Sequence, residues 1–117
     1  MEDSLQVKHG FRLTKTSEIK LIRRTGKTIT HPFFLLAAKP NVQKGLRIAV
    51  IAGRTIGGAV QRNRAKRVLR AAIQPLIGLI KTDLDIILIA KPAIRPVKST
   101  EVEQAIYFLL NKSKLLR

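Results

Sequence analysis

The sequence predicts an α/β (α+β) two-layer sandwich of order α-β-β-α-β-α, with helices packed on a small mixed sheet. Three observations predict it. Short apolar runs at 27–39, 46–52 and 84–90 are rich in β-branched or aromatic residues and closed by turn residues. A helix-compatible stretch at 59–73 separates the second run from the third. Two further segments, at 17–24 and 99–110, carry apolar residues at helical spacing.

In chain order, residues 1–13 read as a mixed lead, with 1–10 mobile. The first helix covers Ser17 to Arg24, with Thr16 or Ser17 as N-cap and Gly26 at the C-cap. Lys27 to Lys39 reads as one strand, in which Pro32 marks an edge or a bulge. Asn41 to Gly45 form a turn. Leu46 to Ala52 form a second strand, apolar enough to be covered on both faces. After the connection 53–58 a long helix runs from Ala59 to Ile73, and Pro75 must end or kink it, because proline removes a helix hydrogen bond. Leu84 to Ala90 form the third strand. The last helix starts at Ser99-Thr100, where Thr100 and Glu103 have capping-box spacing. Val102, Ile106, Leu109 and Leu110 give it an apolar stripe.

The 117 residues make one domain, 1–117. A 45% hydrophobic content argues against disorder although 26% of residues are charged. Lys plus Arg number 23 against 7 Asp plus Glu, a net charge of +16. Small domains usually hold theirs to single digits. The self-repulsion points to a polyanionic partner, nucleic acid before an anionic membrane, since no Trp/Phe-rich face is present. Cysteine is absent, which excludes disulfides and thiolate metal sites. No apolar run approaches the roughly 20 residues of a spanning helix. The acidic start, Met1-Glu2-Asp3-Ser4, lacks a signal's apolar core, so a cytoplasmic protein is expected.

The charge concentrates in the long helix, where Arg62, Arg64, Lys66, Arg67 and Arg70 are interleaved with apolar residues. On a helix, Arg62, Lys66 and Arg70 form one stripe, flanked on the same side by Asn63 and Arg67. Arg64 projects to the other side, as a second contact surface or an ion-pair partner of Asp83 or Asp85. Like charges four residues apart cost an isolated helix about 0.2–0.5 kcal/mol per pair. Phosphates along the stripe reverse that sign. Arginine suits bidentate phosphate contacts, and Asn63 suits a sugar or base edge. Gly57 and Gly58 either offer backbone N–H groups to a phosphate or serve a tight turn. The plain alternative is a solvated charged face.

Arg54-x-x-Gly57-x-Ala59-Val60-x-Arg62-Asn63-Arg64-x-Lys66-Arg67 resembles the signature of the protein subunit of bacterial ribonuclease P. The similarity extends over 11–115. Phe11-Arg12-Leu13 resembles the family's opening, Leu46 to Ala52 the strand before the motif, Ile86 to Pro92 its Ala-Arg/Lys-Pro strand, and Thr100 to Leu110 its last helix. The resemblance implies a fold like domain 2 of a ribosomal S5-type protein, with a left-handed βαβ crossover. It implies an RNA-binding cofactor of an endoribonuclease that removes 5′ leaders from precursor tRNA. The catalytic RNA and its Mg²⁺ perform the hydrolysis; this chain supplies no catalytic residue and no metal or cofactor ligand. Arg54, Gly57, Arg62, Asn63, Arg64, Lys66, Arg67 and Arg70 are the RNA-binding candidates. A cleft between sheet and first helix receives the leader, with Arg12, Ile19, Arg23, Phe33, Leu35 and Ala37 as its candidates. A monomer in a 1:1 ribonucleoprotein is implied, with no membrane partner.

The chain departs from the family where aromatics often line the cleft, having Ile19, Arg23 and Ala37 there. Phe33 and Leu35, on the strand face of Ala37, partly substitute, or Phe33 is ordinary packing beside a proline. Thr55 stands where a second basic residue is common. No protein-based hydrolase constellation is visible. His9 and His31 are isolated, which favours surface or loop roles over metal binding. Asp83 and Asp85 share a face and would hold one hydrated Mg²⁺ only weakly; turn chemistry or pairing with Arg64 explains them more simply. Lys91 and Lys98 extend the basic surface. The alternatives are a ribosomal or ribosome-assembly RNA-binding protein of the same fold and, without a clear groove-reading helix, a DNA-architectural protein.

Overall fold

Leu84–Ala90 forms a strand buried at every position but Ile89, and the sheet is arranged around it. The computed structural model describes residues 13, 15–41 and 45–117. The mobile lead expected over 1–10, together with His9 and Arg12, lies outside the described residues. The elements are α1 (Thr16–Thr25), β1 (Lys27–Thr30), β2 (Phe34–Pro40), β3 (Arg47–Ile51), α2 (Ala59–Ile73), β4 (Leu84–Ala90) and α3 (Ser99–Lys112). Short 3₁₀ turns at Arg54–Ile56, Gln74–Leu79 and Pro92–Ile94 connect them.

One expected strand is two. Residues 27–39 do not run straight but fold back at Pro32 into a hairpin, with β1 antiparallel to β2 and Thr30 opposite Leu35. His31 and Phe34 exchange backbone hydrogen bonds across the corner, at 2.9 and 3.3 Å. Proline has a fixed φ and no N–H to give a ladder, so a turn accommodates it better than a strand interior. The His31 ring completes the corner. Its Nδ1 accepts the Phe33 N–H at 3.0 Å, and the ring stacks on Phe34 with centroids 4.9 Å apart.

The four-stranded sheet has the order β1-β2-β4-β3. β2 and β4 are antiparallel, β3 and β4 parallel. A parallel pair needs a crossover, which α2 provides. Phe34, Leu36, Ile48, Ile86 and Leu88 face α2 and α3 and form the main core with Ala65, Leu69, Ile73, Val102 and Ile106. The opposite face buries Ala37, Ala49 and Ile87 beneath Ile22 of α1 and Leu13. β3 thus packs on both sides, as expected, and Leu13 donates its N–H to Ile48 O at 2.8 Å on the strand's outer edge.

Two helix starts differ from expectation in the same way. α1 and α3 begin at Thr16 and Ser99, after Lys15 and Lys98, and neither has a side-chain cap. The Thr100–Glu103 capping box is therefore not formed. Gly26 does close α1, its N–H reaching Ile22 O, but with φ of −83°. Its glycine requirement is one of space: a Cβ there would lie 2.7 Å from the carbonyl oxygens of both Ala38 and Ile22. Pro75 ends α2 as expected, and the chain continues as 3₁₀ turns.

Candidate nucleic-acid interface

The face that α2 presents is set by what it buries. Ala65, Leu69, Ala72 and Ile73 turn into the core at i, i+4, i+7 and i+8. Directly opposite stand Val60, Asn63 and Arg67, all exposed, with Val60 78% accessible. This rotates the helix from the expected orientation. Arg62, Lys66 and Arg70 are half-buried along one flank, and Asn63 and Arg67 form the crest. Val60 is apolar, yet it stands on the exposed side. Leu69 and Ile73 fix the register instead, because burying them removes more apolar surface from water than burying Val60 and Ala59.

Arg64 lies on the other flank, as expected, and of its two readings the ion pair with Asp83 or Asp85 is not the one formed. Its Nη1 donates to the backbone carbonyl of Arg95 at 2.6 Å. Arg62 donates to the carbonyl of Gly57 at 3.3 Å. Neither bond neutralises the guanidinium, so both charges remain available to an anion. Helix α2 contains no acidic residue, and the ion pairs resolved among the described residues both use Arg47.

The turn before α2 is built for sharp reversal. Gly57 has a φ of 136°, a conformation L side chains rarely adopt. Its N–H is taken by Arg54 O at 3.1 Å, which removes it from the amides expected to meet a phosphate. Gly58 is the N-cap residue of α2, and Arg54 stands exposed on the 3₁₀ turn.

Asp85 does not pair with Arg64. It is buried, and Arg47 and Asn41 occupy its oxygens: Arg47 Nε at 2.8 Å and Asn41 Nδ2 at 2.7 Å on Oδ1, Arg47 Nη2 at 2.9 Å on Oδ2. Arg47 Nη1 also reaches Glu18 on α1 at 3.0 Å. The hydrogen bond to Asp85, opposed by burial and aided by Glu18, raises the guanidinium pKa further above its ordinary value. A carboxylate so committed does not hold the weak Mg²⁺ site considered for Asp83 and Asp85. Among the described residues no three His, Cys, Asp or Glu side chains come together for a metal.

The second expected surface lies on the α1 side of the sheet. Glu18–Arg47 secures the start of α1, and the Lys39 ammonium donates to Thr25 Oγ1 at 2.7 Å at its end. Ile19 and Leu35 are half-buried there and Arg23 is exposed. Two of the cleft candidates are not accessible on this face. Ala37 is fully buried beneath α1. Phe33 sits in the hairpin corner and packs against the main core, so it does not share a face with Leu35 and Ala37. The hairpin, unseen in the sequence, adds exposed Thr28 and Thr30 opposite Ala37 and Leu35, and Ile51 and Ile89 border the same face. Lys98 is exposed and Lys91 half-buried. No helix among the described residues is long and apolar enough to cross a membrane.

Comparison with known proteins adds a family to this geometry. The family model described as Ribonuclease P matches residues 7–114. A protein of Dehalococcoides mccartyi named ribonuclease P protein component is 36% identical over 110 residues, covering 94% of this chain and 90% of that protein. One of Chloroflexus aurantiacus with the same name is 31% identical over 111 residues, covering 94% and 82%. The ribonuclease P protein of Staphylococcus aureus superposes with a TM-score of 0.78 at 21% identity, over 92% of this chain and 98% of that one. That of Thermotoga maritima gives 0.76 at 25% identity, over 86% and 96%.

Proposed function

The chain belongs to the ribonuclease P protein family, whose members are components of an endoribonuclease holoenzyme, and from that premise we propose that α2 docks on the holoenzyme's catalytic RNA. The observation that carries this reading is the crest of α2. Asn63 and Arg67 stand outermost, with Arg62, Arg64 and Lys66 beside them, on a helix without a single acid, and Arg54 is exposed on the turn that precedes it. Such a surface meets phosphates bidentately and releases counterions when it does.

The 5′ leader of precursor tRNA lies along the opposite surface, between α1 and the sheet, against Ile19, Arg23 and Leu35 with Thr28 and Thr30 at its side. Contacts there are charge and apolar contact more than ring stacking, because Phe33 is turned into the other face. The hydrolysis belongs to the RNA and its Mg²⁺, and this chain contributes docking and leader binding as one cytoplasmic monomer per RNA.

Reconstitution tests the reading. Mixed with the transcribed ribonuclease P RNA of the same source, the protein should raise leader cleavage of precursor tRNA at low Mg²⁺. Cleavage that is unchanged by the protein at every Mg²⁺ concentration would end it. Sequencing the RNA that co-purifies with the tagged chain separates this reading from a ribosomal one.

A further inference from the structure

Between α2 and the start of α3 lies an open groove of about 520 Å³. Val68 and Ala71 form its apolar wall, Arg64, Arg67 and Lys98 its charged rim, and Ser99 and Thr100 its end. Beyond Arg64 a second groove of about 300 Å³ continues past Gln61, Ala65, Arg95 and Pro96. The Arg64 guanidinium, tied to Arg95 O at 2.6 Å, divides the two.

Three features decide what fits. Arg64, Arg67, Arg95 and Lys98 line the two grooves and no acid does, so the occupant is anionic. The wall of Val68 and Ala71 offers nothing to a bare phosphate but suits the face of a flat ring. The Ser99 and Thr100 hydroxyls make no hydrogen bond with the described residues, since α3 starts without a side-chain cap. They are free to donate and accept. The volume falls within the roughly 300–1,000 Å³ of small-molecule sites, too small for a duplex and ample for one base with its sugar and phosphate.

We propose that this groove takes a single unpaired nucleotide of the RNA partner. The phosphate lies between Arg67 and Lys98, the base rests on Val68 and Ala71, and the base edge meets Ser99 and Thr100. The inference rests on the docking of α2 proposed above and adds to it an extruded nucleotide and a contribution from α3. Lys98, Ser99 and Thr100 lie outside the helix that carries the signature.

The test fills the groove without removing a cation. Ala71→Trp should weaken binding of the protein to the transcribed ribonuclease P RNA tenfold or more, with the far-UV circular dichroism and Tm of the wild type. Chemical probing of the RNA should show one unpaired base protected by the wild-type protein and reactive again with Ala71→Trp. Lys98→Glu, an exposed change that keeps the fold, should lose affinity to a similar degree and supplies the same reading if Trp disturbs packing. Arg62→Ala and Lys66→Ala, on the far flank, serve as the reference. If they weaken binding while Ala71→Trp and Lys98→Glu leave affinity and protection as in the wild type, the groove is not a nucleotide site and α2 docking stands. If none of the four has an effect, both proposals fall.

Discussion

Arg47 and Asp85 face each other across the parallel β3–β4 pair, joined by two hydrogen bonds of 2.8 and 2.9 Å. The third arm of the guanidinium reaches Glu18 at 3.0 Å, so one side chain ties sheet to helix. Removing one partner of a buried pair strands the other charge, which costs about 3–5 kcal/mol when burial is complete. Arg47 keeps 17% of its side-chain exposure, so solvent screens part of that cost. Asp85→Ala should therefore destabilise the chain by about 2–3 kcal/mol in urea unfolding. Glu18→Gln, at the more exposed arm, should cost under about 1 kcal/mol. Equal effects from the two would show that Asp85 is not the anchor.

Gly26 predicts a steric effect. Its would-be Cβ meets two carbonyl oxygens at 2.7 Å, one on α1 and one on β2, and neither can move without breaking its element. Gly26→Ala should cost about 1–3 kcal/mol, the range for overpacking. An unchanged urea midpoint would mean that α1 sits less tightly on the sheet than these distances require.

His31 predicts a pH dependence. Burial first, and then the Lys91 ammonium, lower its pKa below 6.5. The folded chain therefore binds fewer protons at this site than the unfolded one. The stabilisation is complete above pH 6.5 and is lost as pH falls from there through the lowered value. His31→Asn keeps a side-chain acceptor for the Phe33 N–H but cannot be protonated. Between about pH 7.5 and 5.5, in a window around the free imidazole value, unfolding free energy should fall more steeply for the wild type than for the variant. Parallel curves would place the proton elsewhere.

Val60 gives a test of surface without stability. At 78% exposure on the crest of α2 it contributes little to folding. Val60→Glu puts an anion among Asn63, Arg64 and Arg67 and should leave Tm unchanged while weakening RNA binding severalfold. Arg67→Ala should flatten the log–log salt dependence of binding by about one unit for the phosphate contact removed. A crest that tolerates both changes is not the docking surface.

The fold class, the order of the long elements and the basic helix were legible in the sequence because each rests on local period and turn chemistry. What was missed needed information from further away. Pro32 is compatible with a bulge or a corner, and only the pairing of Lys27–Thr30 with Leu35–Ala38 decides between them. The rotation of α2 depends on which apolar residues the sheet and α3 receive. Val60 and Leu69 look alike in a list of apolar residues but end on opposite sides of the helix. Asp85 found Arg47, 38 residues away, rather than an arginine of the signature helix. Phe33 left the cleft for the same reason that the strand broke: the corner at Pro32 resets the alternation of faces.

That last displacement makes a prediction about the leader. The face between α1 and the sheet offers Ile19, Leu35, Ile51 and Ile89 as half-buried apolar groups, with Thr28, Thr30 and Arg23 exposed nearby. Its one candidate aromatic, Phe33, packs into the main core. Stacking of a base on an aromatic ring contributes about 1–3 kcal/mol, an amount an isoleucine or leucine does not supply. Ile19 projects from the middle of α1 and is half-buried, so a larger flat side chain there can extend along the open face. Ile19→Phe should therefore tighten holoenzyme binding of precursor tRNA by roughly fivefold or more, the lower end of that stacking range, and leave mature tRNA unaffected. The readout is the ratio of the two dissociation constants. Because mature tRNA lacks the leader, a general gain in RNA affinity would move both constants and leave the ratio alone. A ratio equal to that of the wild type, in a variant that folds and supports cleavage, would place the leader away from α1.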